Sequence, residues 1–137
     1  MRSQPLRLAA LTVFAITLAP IGAQTDWTQL APLTSPSLHT KGQLTHLITT
    51  GNVLLFGGID NTQTYLDETW TFDGANWTQE NPLNVPRGRI QSRMVHDLVR
   101  NVAVMWSGYP GGAGYVQDLW EWVPNNGVQA KAATGYR

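Results

Sequence analysis

Short apolar runs, each closed by a turn signal, set the pattern along the chain. Residues 53–56 form a continuous apolar run that ends at a pair of glycines, as is typical of a buried strand. Residues 68–72 alternate polar and apolar side chains, which indicates a strand with one covered face. An Asp-Gly turn then leads into residues 76–79, so a hairpin is predicted there. With a first strand in residues 43–50, the pattern predicts an all-β unit of four short strands.

The same plan recurs in the second half of the chain. Residues 93–99, 102–106 and 119–122 are predicted as its first three strands, and a glycine-rich loop, residues 108–114, separates the last two. The fourth strand is degenerate, because Gly127 stands where the first unit has a tryptophan.

The two units are related by a fixed offset of fifty positions, with no gap. Ten residues recur at this offset, as Trp27/Trp77, Thr28/Thr78, Gln29/Gln79, Pro32/Pro82, Leu33/Leu83, Pro36/Pro86, His46/His96, Gly58/Gly108, Tyr65/Tyr115 and Trp70/Trp120. A gapless period of this length marks a solenoid, a propeller or a repeat array, in which each unit buries its apolar faces on its neighbours.

The repeated residues resemble the kelch repeat, a four-stranded β-propeller blade with paired glycines after an apolar strand, a downstream tyrosine, and a tryptophan that begins the last strand. Glycines let main chains approach closely, and tryptophans fill the wedge between sheets, so we interpret this pattern as structural. In the second unit Ser107 replaces the first glycine. The resemblance implies about two kelch-type blades of an incomplete propeller. The structural residues of the pattern are Gly57, Gly58, Tyr65, Trp70, Trp77, Gly108 and Trp120.

The amino terminus has the features of a secretory signal peptide. Arg2 and Arg7 precede an eleven-residue apolar run, residues 8–18, and small residues stand before a cut after Ala23. The run is too short to span a bilayer, so we expect a secreted or periplasmic protein with no membrane span. The predicted organisation is a signal peptide (1–23), an amino-terminal strand and linker (24–42), a first blade (43–80), a degenerate second blade (81–125) and a tail (126–137).

Two blades do not close a propeller, which typically has 4 to 8. Three explanations stay open: the chain is a truncated fragment of a larger propeller, several copies assemble into one propeller, or the pair is an open module. Kelch propellers commonly complete the last blade with a strand from one terminus, so the resemblance implies that residues 27–30 complete a blade.

Charge and cysteine content narrow the function classes. Without Arg2 and Arg7, seven of the nine basic side chains remain against nine acidic ones, so no field attracts nucleic acid. The chain has no cysteine, which excludes disulfides, thiolate catalysis and thiolate metal sites. Galactose oxidase, a copper enzyme with a kelch-type propeller, needs a cysteine cross-linked to tyrosine, so its chemistry is excluded too.

Two sets of side chains are candidates for ligand binding. Arg87, Arg89 and Arg93 form a basic cluster that could hold a carboxylate or an acidic sugar. Tyr109 and Tyr115 belong to the loops at one end of the units, where propellers place function. The alternative for the arginines is structural, with Arg87 paired to an acidic residue of a neighbouring strand and the others solvated.

The histidines and carboxylates have structural interpretations. His46 and His96 occupy equivalent strand positions, and a hydrogen-bonded role is favoured over a metal or proton-transfer site; His39 is expected to be exposed. We expect Asp73 to form a turn, and Glu68 and Asp118 to accept backbone hydrogen bonds.

The sequence therefore predicts no catalytic residue, metal or cofactor. The expected protein is an exported, non-catalytic kelch-repeat module that binds a protein or a carbohydrate. The alternative, implied by exported kelch-like proteins, is an enzyme that modifies an acidic sugar such as sialic acid.

Overall fold

The computed structural model describes residues 27–37, 39–112 and 114–124, and the predicted signal peptide (1–23) and tail (126–137) lie outside these residues. The described residues contain strands and no helix, which confirms the all-β fold class. The strands are β1 (His39–Thr40), β2 (Gln43–Leu47), β3 (Asn52–Phe56), β4 (Ile59–Asp60), β5 (Thr69–Phe72), β6 (Trp77–Glu80), β7 (Arg93–Asp97), β8 (Val102–Gly108) and β9 (Val116–Trp122).

The first sheet has four antiparallel strands in the order β2-β3-β5-β6. Its central strand, β3, is the apolar run of the sequence pattern, and Leu54, Leu55 and Phe56 in it are buried. The alternation in β5 gives Thr69 and Thr71 buried positions and Trp70 a half-buried one on the opposite face. All four strands fall within a few residues of the predicted ones.

The second sheet has three antiparallel strands in the order β7-β8-β9. The β8 strand extends two residues beyond its predicted end, and a register shift between Trp106 and Gly108 marks a bulge against β9. Among residues 27–37, 39–112 and 114–124, no strand pairs with the outer edge of β9.

A two-stranded sheet, β1 with β4, lies outside the predicted elements. Thr40 pairs with Ile59 in it, and fifty positions later Ile90 and Tyr109 form the equivalent isolated bridge. These pairings involve only one or two residues on each side, so the sequence carries no periodicity that would reveal them.

The main chain itself repeats with the period of the sequence. Four pairs of residues with positive φ are separated by fifty positions: Lys41 and Gln91 (60° and 58°), Gly51 and Asn101 (75° and 52°), Gly57 and Ser107 (69° and 61°), and Gly58 and Gly108 (118° and 127°). Left-handed φ is uncommon outside glycine, so its recurrence at matched non-glycine positions shows that the two units share one backbone conformation.

The two sheets stack face to face. Buried Leu47 and Leu54 of the first sheet form a core cluster with Ala103 of the second, and half-buried Met94 and Trp122 pack against it. The face that the second sheet turns toward the first is the repeat equivalent of the first sheet's outer face, not of its inner face. Consecutive units of a repeat array stack in this way.

The segment that opens the second unit is held against the first. The Gly58 N–H donates to the Arg89 carbonyl (2.9 Å), and the Arg89 N–H donates to the Leu66 carbonyl (3.3 Å). A Cβ atom at Gly57 would lie 2.5 Å from the Arg89 carbonyl oxygen, so this close approach needs glycine. At the equivalent position of the second unit, Ser107 keeps a left-handed φ of 61°, and its hydroxyl donates to the Val116 carbonyl at 2.8 Å.

The strand expected near Trp27 is not formed in the described residues, because residues 27–37 contain no strand. Trp27 is fully exposed. Thr34 contacts Trp77 through its hydroxyl and its carbonyl, so this segment meets β6 of the first sheet and not the open edge of β9. Pro32 and Pro36 lack the N–H groups that a strand would need.

Candidate functional site

Three tyrosines form a cluster at the end of the sheets where the loops after β3 and β8 lie. Tyr65 belongs to the first unit and bridges Ile59; Tyr109 follows β8, and Tyr115 precedes β9. The Tyr65 and Tyr109 rings meet edge to face, 5.8 Å between centroids, and the Tyr109 and Tyr115 rings are 5.6 Å apart. The cluster therefore joins the two units at this end.

We define the tyrosine cluster as Tyr65, Tyr109 and Tyr115. Neighbouring residues hold its rings in place, and Tyr115 exposes the cluster to solvent. Tyr115 is 64% exposed, and its hydroxyl donates to the Gln91 side-chain carbonyl at 2.8 Å. Gly111 lies so close to the Tyr65 ring that a Cβ atom there would approach the ring to 2.7 Å. The rings are thus positioned before any ligand arrives, which limits the entropy lost on binding.

A polar turn borders the cluster on the side of the first unit. The Asp60 carboxylate accepts hydrogen bonds from the Thr64 and Thr62 N–H groups and from the Thr62 hydroxyl. These bonds, with that from the Thr64 N–H the strongest, hold the pKa of the Asp60 carboxyl below its ordinary value. Asp60 directly follows Ile59, the bridge partner of Tyr65, so an anionic, hydroxyl-bearing loop lies beside the aromatic rings.

Arg89 lies inside the protein, in contrast to the expected surface cluster. Its side chain is 1% exposed and binds the Asp118 carboxylate through two N–H groups, at 2.5 and 2.9 Å. Further N–H groups donate to the carbonyls of Arg87 and Ser107. Among the described residues, the arginine of this group that pairs with an acid is therefore the buried Arg89 and not the exposed Arg87.

Arg87 and Arg93 are exposed but do not share a site with Arg89. Arg93 begins β7 and pairs with Trp106 in register, which places it on the face of the second sheet directed away from the first sheet. The three arginines are close in sequence, but one is buried and the other two are exposed at separate places. They therefore do not form a single anion-binding site.

Two acidic residues hold tryptophan indoles. The Trp120 indole N–H donates to Asp118, and fifty positions earlier the Trp70 indole N–H donates to Glu68, each at 2.8 Å. The sequence analysis expected Glu68 and Asp118 to accept backbone hydrogen bonds and did not foresee that each also accepts from the indole two residues later. Asp73 does form the predicted turn, accepting the Ala75 and Asn76 N–H groups.

Opposing effects set the charge state of Asp118. Burial raises the pKa of its carboxyl, but hydrogen bonds from Arg89 and Trp120 and the positive charge of Arg89 outweigh that effect. The pKa of Asp118 consequently lies below the ordinary 3.8.

The histidines have separate environments. The Ile48 N–H donates to His96 Nδ1 (3.1 Å), so the proton is on Nε2, which faces Asn101 Oδ1 at 3.2 Å. His96 thus links the two sheets, in agreement with the hydrogen-bonded role expected for it. His46 is exposed on β2, whereas His39, expected to be exposed, lies half-buried in β1 because its ring packs beside Gly58.

The described residues contain no group of three side chains placed to hold a metal ion. They also contain no helix long and apolar enough to cross a bilayer.

The sequence reasoning identified Tyr109 and Tyr115 as contacts but assigned Tyr65 to packing alone. The signal for the larger cluster was present, because Tyr65 and Tyr115 are repeat equivalents. No protein-family model and no curated protein sequence matches the chain. The kelch resemblance therefore stays a prediction from the motif, and the function must be argued from the geometry of the tyrosine cluster.

Proposed function

We propose that this protein is an exported, non-catalytic module of kelch type that binds carbohydrate at the tyrosine cluster. The observation that carries the proposal is the meeting of three tyrosine rings from two units at one loop-bearing end. Tyrosine combines an apolar ring face with a polar hydroxyl, which suits a sugar, whose C–H faces alternate with hydroxyl groups.

The polar neighbours fit the same ligand. Asp60 and the threonines that bond to it supply a carboxylate and hydroxyl groups beside the rings, and Gln91 fixes the Tyr115 hydroxyl. A binding site needs a few such groups around an apolar platform, because they set orientation while the rings supply contact area. The single net negative charge of the turn favours neutral sugars over acidic ones.

The alternative, an enzyme that modifies an acidic sugar, has weaker support. Such an enzyme needs a cluster of free guanidinium groups to bind the acidic sugar. The Arg89 guanidinium is not free, because it donates its hydrogen bonds to Asp118 and to two main-chain carbonyls. The carboxylates of such an enzyme would also have to be free, and Glu68 and Asp118 are already bonded to indoles.

An array of neutral and sialylated oligosaccharides tests the proposal. We expect the purified protein to retain neutral glycans, and Tyr115→Ala to weaken their binding about tenfold, as loss of an exposed aromatic contact does. Trp27→Ala is the matched control, since Trp27 is fully exposed and lies outside the cluster.

Two results would overturn the proposal. One is equal glycan binding by Tyr115→Ala, Tyr109→Ala and the unchanged protein. The other is the release of a shortened or modified sugar, detected by mass spectrometry, which would favour the enzyme.

A further inference from the structure

The outer face of the first sheet has the composition of a covered surface. We define this face by Leu44, His46, Val53, Leu55, Trp70 and Phe72, which the strand register places on the side away from the second sheet. Their repeat equivalents are Met94, His96, Ala103, Met105, Trp120 and Trp122. In the second sheet that same face packs against the first sheet, with Ala103 and Met105 buried. On the first sheet Leu55 is buried, but Leu44 is 58% exposed.

The outer face of the second sheet carries an apolar patch beside the charged Arg93, Asp97 and Glu121, which the register places on the same side. We define it by Val95, Val104, Trp106 and Leu119, which share one side of β7, β8 and β9. Their equivalents in the first sheet are Thr45, Leu54, Phe56 and Thr69. Two threonines of the interior contact are thus replaced by valine and leucine on the exposed face, and Trp106 is 47% exposed. Exposed apolar surface of this kind marks an interaction site.

The two outer faces are the complementary halves of one contact. Within the chain, the inner face of the first sheet meets the inner face of the second. Fifty positions relate the first sheet's outer face to the second sheet's inner face, and the first sheet's inner face to the second sheet's outer face. In the described residues, no further strand lies on either outer face. We propose that a second copy of this chain docks head to tail, so that its first-sheet outer face covers the second-sheet outer face of the first copy.

The end of the contact near the β7–β8 turn supports a second copy of this sequence in particular. Inside the chain, His96 accepts the N–H of Ile48, which follows β2. In the docked pair, His46 of the second copy takes the same position beside Leu98. Asp97 stands at the position equivalent to Leu47, and its carboxylate already accepts hydrogen bonds from Arg100, so this end of the docked contact is more polar than its counterpart within the chain.

A head-to-tail contact leaves one face of each kind free at the ends. Further copies add until the chain of molecules closes into a ring, or continue as a fibre if the rotation per copy does not close. In this stacking each added copy buries outer-face residues, which are the repeat equivalents of the residues that hold the two sheets together within one chain.

Two variants, each blocking one face, test the proposal by light scattering and analytical ultracentrifugation. Leu44→Arg blocks the first-sheet face and Trp106→Glu blocks the second-sheet face. The unchanged protein is expected to gain mass with concentration, and each variant alone is expected to remain monomeric. Mixed in equal amounts, the two should form a species of about twice the monomer mass, because each retains the intact face that the other needs.

Controls separate docking from misfolding and from general stickiness. Leu83→Arg alters an exposed apolar residue on neither sheet face, and it should assemble as the unchanged protein does. Far-ultraviolet circular dichroism and urea midpoints should show that Leu44→Arg and Trp106→Glu are folded, as the exposure of both side chains predicts. A concentration-independent monomer for the unchanged protein, or a mixture of folded variants that stays monomeric, would overturn the proposal.

Discussion

The guanidinium group of Arg89 meets the carboxylate of Asp118 through two parallel hydrogen bonds, in a position where the arginine has almost no access to solvent. The bond connects the segment that opens the second unit to β9, the last strand of its sheet. A buried cation depends on its counter-ion, because desolvation is tolerated only while the charge is paired. The stability of the second unit therefore depends on one carboxylate.

Asp118→Asn should destabilise the protein by about 2 kcal/mol, less than for a fully buried pair because Asp118 is 32% exposed. The amide removes the negative charge and turns N–H donors toward the donors of Arg89 or Trp120. Urea unfolding followed by tryptophan fluorescence measures the change. Asp97→Asn is the control: it removes an exposed ion pair with Arg100 but keeps the Oδ1 acceptor for the turn, so its effect should be much smaller. Equal losses for the two variants would contradict the interpretation.

Acid should weaken the protein in part through Asp118. Its pKa is lowered by folding, so its contribution is fully present above the ordinary pKa of 3.8 and is lost as pH falls through the lower, folded-state pKa. The difference in unfolding free energy between the unchanged protein and Asp118→Asn should consequently shrink from about pH 6 to about pH 2.

Taking the difference between the two proteins isolates Asp118 from other acids. Asp60, Asp73 and Asp97 also have lowered pKa values, and they titrate in both proteins. A difference that stays constant across the acid range would show that the Arg89 pair has no such role.

Gly57→Ala should cost about 3 kcal/mol or more, since the new methyl group adds a main-chain clash to the strain of left-handed φ. Gly51→Ala is a matched control: Gly51 has φ of 75°, but nothing lies within 4 Å of a Cβ atom there. It should lose only about 1 kcal/mol. Thermal unfolding of both variants compares them, and similar losses would mean that the Arg89 main chain moves away at little cost.

The strands were predictable because each unit alternates or clusters its apolar residues between turn signals. No tertiary information was needed to predict the strands at Val53 to Phe56 and at Glu68 to Phe72. The offset of fifty residues then placed the equivalent strands in the second unit. The ends were less accurate, as in β2, which stops at Leu47 because the Thr50 and Gly51 N–H groups turn back to the Leu47 carbonyl.

The role of Arg89 was beyond sequence reasoning, because arginine is rarely buried and its partner is 29 residues away. One signal did point toward it: Glu68 and Asp118 each precede a tryptophan by two residues. The indole N–H two residues later holds each of these carboxylates in place. In the second unit, Arg89 also binds the carboxylate of Asp118. In the first unit His39 stands at the position equivalent to Arg89.

The recurrence of left-handed residues at Gly51 and Asn101 has a consequence for how the chain can change in length. A segment of one whole period can be excised or duplicated with its junctions falling on matching torsion angles, so each strand meets an equivalent partner and presents the same side to it. An insertion of an odd number of residues within a strand would exchange buried for exposed positions downstream, because successive side chains of a strand point to opposite faces. Growth by whole modules is thus the change in chain length that this main chain accommodates most readily.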